Sequence, residues 1–286
     1  MSIVSDTSSR GRPFAGGLRI PSWERPAAAA RRAGSGVLSL AGGAVILGCI
    51  WALASVYAQD LPGPLATMGT FWRLVSDPLY DNGPNDKGIG LQIFASLQRV
   101  FIGFALGSAV AVPLGILLGV SPLFRRFFDP VVQVLRPVSP LAWFPIGLVA
   151  LQSTAHAAIF VVFITSLWPT VINTAFGVGS IPESHKNVAR VFQFSRWRYL
   201  TRIVLPHSLP HIITGLRLSM GIAWLVIVAA EMLSGGTGIG FYVWDSWNAL
   251  NLEQVLSAIL LIGIIGLILD RAFAFFAARF TYTEVV

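Results

Sequence analysis

One cysteine in 286 residues, Cys49, excludes a disulfide framework and a thiolate metal cluster. The four histidines (His156, His185, His207, His211) fall at no spacing that gathers a metal ion with companion ligands. Charge is scarce as well. Asp, Glu, Lys and Arg make up 12% of the chain, against roughly a quarter in soluble domains. A nucleotide-binding loop is missing too: the glycine run Gly235-Gly236-Thr237-Gly238-Ile239-Gly240 lacks the lysine of a phosphate-cradling G-x-x-x-x-G-K-[ST] segment. Its glycines fit a tight turn with close backbone approach instead. There is no catalytic triad and no paired-carboxylate site, so the chain carries no enzyme of its own. No internal repeat is evident, which counts against an inverted-repeat secondary carrier.

What the chain has is apolar length. Hydrophobic residues make up 55% of it, and the mean hydropathy is +0.71. That excess cannot be hidden in one soluble core, so the fold class is all-α and polytopic in the membrane. About six apolar segments are long enough to cross roughly 30 Å of hydrocarbon: residues 37–57, 98–120, 130–151, 157–178, 212–233 and 252–279. The first could be mistaken for an export or transit signal, because Arg31-Arg32 precedes it, but it is longer than a signal-peptide core. Residues 1–36, rich in Arg, Ser, Gly and Ala, are expected to form a flexible tail. The Pro-, Gly- and Asn-rich loop from Asp60 to Gly90 predicts turns, with a short interfacial helix near Thr70–Val75. The third apolar segment carries Pro137, Pro140 and Pro145 beside Arg136, which predicts a kinked helix lining a cavity rather than one facing lipid.

The net charge of +7 and a pI near 10.3 suggest nucleic acid only at first sight. The basic residues cluster in loops between apolar runs, the pattern of retention on the cytoplasmic side of a membrane. By that rule the tail, the Arg125-Arg126 loop, residues 180–210 and the C-terminus share one side. The Asp-rich loop, the turn at Gln152–Thr154 and the Gly/Trp loop share the other. Both termini are then cytoplasmic.

The most informative polar stretch is Ser180 to Pro210, which holds Lys186, Arg190, Arg196, Arg198 and Arg202 against Glu183. Ser180 and Glu183 have capping-box spacing, and Val188, Val191 and Phe192 recur at helical intervals. Ser195 is placed to cap a second short helix through Trp197, Leu200 and Ile203, which Pro206 would end. Two short amphipathic helices between spans read as a docking surface, the competing reading being a helix resting on lipid headgroups.

Here the residues resemble a family. Asn187-Val188-Ala189, followed at the expected distance by Ile203-Val204-Leu205-Pro206, is similar to the EAA motif of ABC-importer permeases. Asn187 stands where that motif usually has Glu, Val188 where it has Ala, and Gln193 where it has Gly. Over about Leu61 to Arg279 the chain resembles the nitrate/sulfonate/bicarbonate permease group, most of all its nitrate branch. The stretches VSDPLYDNGPNDKGIG (Val75–Gly90), LRPVSPLAWFPIGL (Leu135–Leu148) and Gly215–Asn248 carry that resemblance.

The resemblance implies a type I ABC importer permease fold, a homodimer around one pathway and a location in a bacterial inner membrane. It also implies separate ATPase subunits, which use ATP-Mg while this chain binds no cofactor, and an extracytoplasmic binding protein or lipoprotein. The coupling residues it implies are Asn187, Val188, Ala189, Arg190, Val191 and Phe192, with Leu205 and Pro206 shaping the return into the fifth span. The cargo it implies is a small inorganic anion, nitrate before nitrite or cyanate, with bicarbonate and taurine or alkanesulfonate as alternatives. A proton-coupled carrier or a membrane sensor is the reading from another class. The lack of paired intramembrane carboxylates speaks against it.

Arg136 and Arg217, inside or at the edge of spans, are candidates for an anion pathway, with snorkelling to the interface as the plain alternative. Gln133, Ser139 and Trp143 lie on the same kinked segment as Arg136. Glu231, at the outer end of the fifth span, would repel an anion and fits a structural or gating role. Trp224, Trp244 and Trp247 fit packing or an interfacial belt.

Overall fold

The computed structural model describes residues 42–58, 60–83 and 86–280. The expected N-terminal tail and the start of the first expected span lie outside the described residues. Contacts divide the chain into two units, Met1–Asp60 and Leu61–Val286. In the first, α1 (Gly42–Tyr57) is a short apolar helix and holds the described part of that first span.

The second unit is built of helices: α2 (Pro64–Ser76), α3 (Ile89–Val120), α4 (Pro122–Leu135), a 3₁₀ turn at Pro140–Trp143, α5 (Phe144–Leu151), α6 (Thr154–Gly179), α7 (Glu183–Val191), α8 (Arg196–Tyr199), a π-helical segment at Leu200–Val204, α9 (Leu205–Ser234), α10 (Ile239–Asn248) and α11 (Leu252–Phe280). Among the described residues there is no strand, only an isolated antiparallel bridge between Asp81 and Lys87. The all-α reading holds. Among the described residues, four helices are long and apolar enough to cross a membrane, and a fifth crossing arises if the bent pair α4–α5 is one span.

The core is a three-helix stack in which α6 packs against both α3 and α9. Close approach is written into α3 as small residues one turn apart. A Cβ on Gly107 would lie 2.8 Å from the carbonyl of Phe163, and one on Gly115 would lie 2.6 Å from Thr174 Cβ. Without water in the bilayer, helices associate by such backbone proximity and by internal polar bonds. Buried hydroxyls obey the same rule. Thr165 and Ser166 donate to the carbonyls of Val161 and Val162 at 2.7 and 2.8 Å, and Thr170 and Ser219 meet across α6 and α9 at 2.7 Å. Trp224, buried on α9, donates its indole N–H to Ile262 O on α11 at 3.0 Å. It is a packing residue.

Several elements depart from the hydropathy reading. Helix α3 starts at Ile89, not near Gln98, because the polar Gln92 and Ser96 that precede the apolar run have partners inside the protein. At 32 residues it is about 48 Å long, well beyond the hydrocarbon thickness. The third apolar segment is not one kinked helix: α4 and the Pro140–Leu151 pair meet at 96°. Pro137 and Pro140 each delete a backbone donor, and Ser139, before Pro140, turns extended with ψ 129°. The 64–76 helix is likewise longer than the turn-rich composition suggested.

Candidate functional site

Residues 180–204 form a compact hairpin of short helices joined without interruption to α9. Its start differs from the sequence expectation. Ser180 does not cap α7; it closes the C-terminus of α6, and its hydroxyl donates to Gly177 O at 2.9 Å. Pro182 takes the N-cap position of α7 and offers no side-chain bond, so the capping box does not form. Glu183 instead accepts from Lys186 at 2.9 Å and lies 3.7 Å from Arg190. The Lys186 bond, before all else, holds its carboxyl below the usual carboxylate range.

The turn after α7 explains the family preference for glycine. Gln193 has φ 47°. Its N–H donates to Arg190 O at 3.1 Å, and the N–H of Phe194 donates to Ala189 O at 2.9 Å. These two bonds make a Schellman C-cap, whose left-handed residue glycine adopts without strain. Ser195 caps α8, accepting from Arg198 N at 3.3 Å as expected. Pro206 does not end that helix. The chain continues from Arg196 to Ser234 through the π segment, where Leu205 N–H reaches Leu200 O five residues back. The wider turn accommodates the donor missing at Pro206.

The expected coupling residues divide into two groups. Ala189 is buried at 8% exposure and packs inward, whereas Val188, Val191 and Phe192 are 46%, 77% and 68% exposed. Trp197 on α8 is 73% exposed as well. Asn187 is exposed and binds Arg190 through its side chain at 2.8 Å. A cleft of about 450 Å³ adjoins Val188, lined also by His185, Phe194, Arg202, Ile203, Pro206 and His207. The result is an apolar patch on a basic hairpin, braced at its root.

At the other end of α9 sits a buried polar lock that sequence reasoning only half found. Glu231 is fully buried. Its carboxylate accepts from Ser96 Oγ at 2.7 Å, from Arg99 Nη1 at 2.6 Å and from Gly240 N at 3.1 Å. Gln92 Oε1 accepts from Gly238 N at 2.6 Å, and Ser96 Oγ accepts from Ile239 N at 2.9 Å. Three successive N–H groups at the start of α10 are therefore satisfied by side chains of α3 and α9, where a helix otherwise leaves them orphaned. The carboxylate also faces the positive end of the α10 dipole. A Cβ on Gly238 would lie 2.3 Å from the Glu231 carboxyl carbon, and one on Gly240 would lie 2.0 Å from Val228 O. The glycine run serves close backbone approach. Arg99 was missed although it lies inside the expected span 98–120, because counting from Gln98 left out Gln92 and Ser96; the polar stripe Gln92–Ser96–Arg99, at helical spacing on one face, was the available signal.

The arginines expected on a pathway part company. Arg217 on α9 makes a two-pronged ion pair with Asp270 on α11, both bonds 2.8 Å. It lines a cleft between α9 and α11 with Trp224 and Phe273, a cleft that Arg136 does not line. Arg136 ends α4 and lines two cavities, with Gln133 in one of them. Ser139 is exposed and forms the N-cap of the 3₁₀ turn. Trp143, half-buried against the core, has an indole N–H with no partner among the described residues. Trp244 and Trp247 are half-exposed on α10.

Residues 111–282 match a family described as the binding-protein-dependent transport system inner membrane component. The chain is 46% identical over 231 residues to the nitrate import permease protein NrtB of Synechocystis sp., covering 80% of this chain and 84% of that one. It is 46% identical over 241 residues to the bicarbonate transport system permease protein CmpB of Synechococcus elongatus, covering 82% and 86%. Among solved structures, a chain of the MetNI methionine ABC transporter in inward-facing conformations overlaps 75% of this chain and 99% of its own length, with TM-score 0.59 at 17% identity. A chain of an amino acid ABC transporter overlaps 74% and 97%, with TM-score 0.57 at 12% identity. These two likenesses establish a shared fold.

Proposed function

This chain belongs to the family of inner membrane components of binding-protein-dependent transport systems, and from that premise we propose that it is the permease subunit of an ATP-driven importer of a small monovalent anion, nitrate foremost. The observation that carries the reading is the hairpin α7–α8, which exposes Val188, Val191, Phe192 and Trp197 and runs without a break into α9. A rigid lever of this kind transmits rigid-body motion from a partner into the bundle. The partner is an ATPase subunit, since this chain has no phosphate-binding loop. A second copy of the permease completes the pathway, and a binding protein delivers the anion to the face opposite the hairpin. The basic loops, including the hairpin, are cytoplasmic, as are both termini.

Nitrate rests on the named relatives and on the resemblance of Val75–Gly90, Leu135–Leu148 and Gly215–Asn248. Bicarbonate is the second reading, because a relative named for it matches at the same 46% identity. An ion-coupled carrier is disfavoured by the state of Glu231, which is spent on Arg99, Ser96 and Gly240 and so is not free to relay a proton.

The test is reconstitution with the neighbouring ATPase and binding protein, followed by uptake of nitrate, bicarbonate and taurine. Saturable, ATP-dependent nitrate uptake is expected. Uptake without the ATPase would overturn the reading, and bicarbonate uptake alone would move the cargo to the second one. Val191→Asp is expected to cut uptake at least tenfold with insertion intact. It is a cleaner probe than Ala189→Asp, which would bury a charge inside the hairpin.

A further inference from the structure

Two cavities meet at Arg136. One, of about 340 Å³, is lined by Arg136, Trp168, Ile172, Asn173, Leu218 and Ile222, among others. The other, of about 600 Å³, is lined by Asp129, Gln133, Arg136, Pro137 and Ile172. Arg136, an exposed residue, and Ile172 line both, so the two cavities adjoin there. Arg136 stands where α4 stops, at a helix C-terminus that favours a cation.

The charge there is uncompensated. Arg99 and Arg217 are each neutralised by a carboxylate on another helix. Among the described residues, Arg136 has no ion pair or side-chain hydrogen bond. Asp129, the acid in the larger cavity, is engaged by Arg125 at 3.2 Å. Two neutral N–H donors line the smaller cavity with Arg136. Asn173 spends one amide hydrogen on Pro169 O at 2.8 Å and keeps the other. The indole N–H of Trp168 has no partner among the described residues. The rest of the smaller cavity is mostly hydrocarbon: Val138, Ile164, Ile172, Leu218 and Ile222.

We propose that Arg136, Asn173 and Trp168 form an anion-selecting site within the permease itself, suited to a small, weakly hydrated, monovalent oxyanion. The logic is a balance of costs. One unpaired cation with two neutral N–H donors matches a single delocalised negative charge. Apolar walls penalise any ion that must surrender strongly held water, so bicarbonate and sulfate lose more than nitrate on entry. The site thus discriminates by hydration and adds a second filter to that of the binding protein. It rests on the proposed import of an anion and specifies which class passes.

The experiment uses the full transporter in proteoliposomes. In a transporter whose parent takes up nitrate, Arg136→Gln is expected to raise the KM for nitrate at least tenfold, while binding-protein-stimulated ATP hydrolysis persists. Arg136→Lys is expected to recover much of the loss, and Asn173→Ala to cost several-fold. Unchanged KM and unchanged nitrate-over-bicarbonate preference in Arg136→Gln would overturn the site while leaving the import reading intact. A parent with no anion uptake would overturn that reading, and a direct binding arm then decides the site alone. Nitrate should quench a saturable part of the tryptophan fluorescence, and that part should vanish in both Trp168→Phe and Arg136→Gln. Quenching that is linear in the parent, or a saturable part that persists in either variant, would overturn the site.

Discussion

At the scale of single residues, the decisive group is Glu231. A carboxylate buried beside Arg99, with side-chain exposures of 1% and 16%, contributes less by its net attraction than by what its loss exposes. Removing one partner of such a pair typically costs about 3–5 kcal/mol, because the other charge stays buried and unpaired. Glu231→Gln is therefore expected to lower the thermal unfolding midpoint of the purified protein clearly, and Arg99→Met to do the same. The double variant should lose less than the sum of the two, since neither charge is then stranded. Additive losses would mean that the two side chains do not depend on each other. Arg217 shows the same principle at the surface: its fork is occupied by Asp270, so an arginine that looked available from its position in the sequence is already spoken for.

Secondary elements show where local rules hold and where they give way. Ser195 caps its helix as its sequence position suggests, but Ser180 does not, because Pro182 stands at the start of α7 and the serine is drawn back to α6. The turn after α7 holds Gln193 in the left-handed region, which costs a non-glycine residue about 1 kcal/mol. Gln193→Gly removes that strain, offset in part by glycine's greater freedom in the unfolded chain, for a net gain of about 0.5 kcal/mol. Gln193→Val, β-branched, should lower stability by more. Thermal unfolding of the two variants beside the parent checks both signs, and a fall with glycine would contradict the Schellman geometry. The π segment is the other local exception. It keeps α8 and α9 one continuous rod where a proline suggested a break.

For the whole molecule, the proposed function requires that the hairpin be cytoplasmic and be covered by an ATPase subunit. Cys49 is the single native cysteine, so Val191→Cys in a Cys49→Ser background carries one reactive thiol, 77% exposed in the parent structure as valine. An impermeant maleimide is expected to label it only from the cytoplasmic side, and assembly with the ATPase subunit is expected to slow labelling at least tenfold. Labelling from the outside would invert the topology. Equal rates with and without the ATPase would remove the hairpin as the docking face.

The amino-acid sequence by itself determined the class of the molecule. Low charge, long apolar runs and basic loops specify an α-helical membrane protein, because lipid admits no unsatisfied backbone and each span must meet its hydrogen bonds within itself. It also marked the hairpin, since an amphipathic basic stretch among apolar ones stands out without knowledge of any neighbour. Only the tertiary structure decided which polar residues find partners. Arg99 belongs to Glu231 across 132 positions, and Arg217 belongs to Asp270 across 53. No local pattern encodes those pairings, because hydropathy counts a residue's preference for water and not the donor that another helix will bring. The same holds for the 96° bend at Arg136. Prolines foretold a disturbance there, but its angle follows from how α4 and α5 settle around the stack of α3, α6 and α9, and the cavities at Arg136 exist only after they have done so.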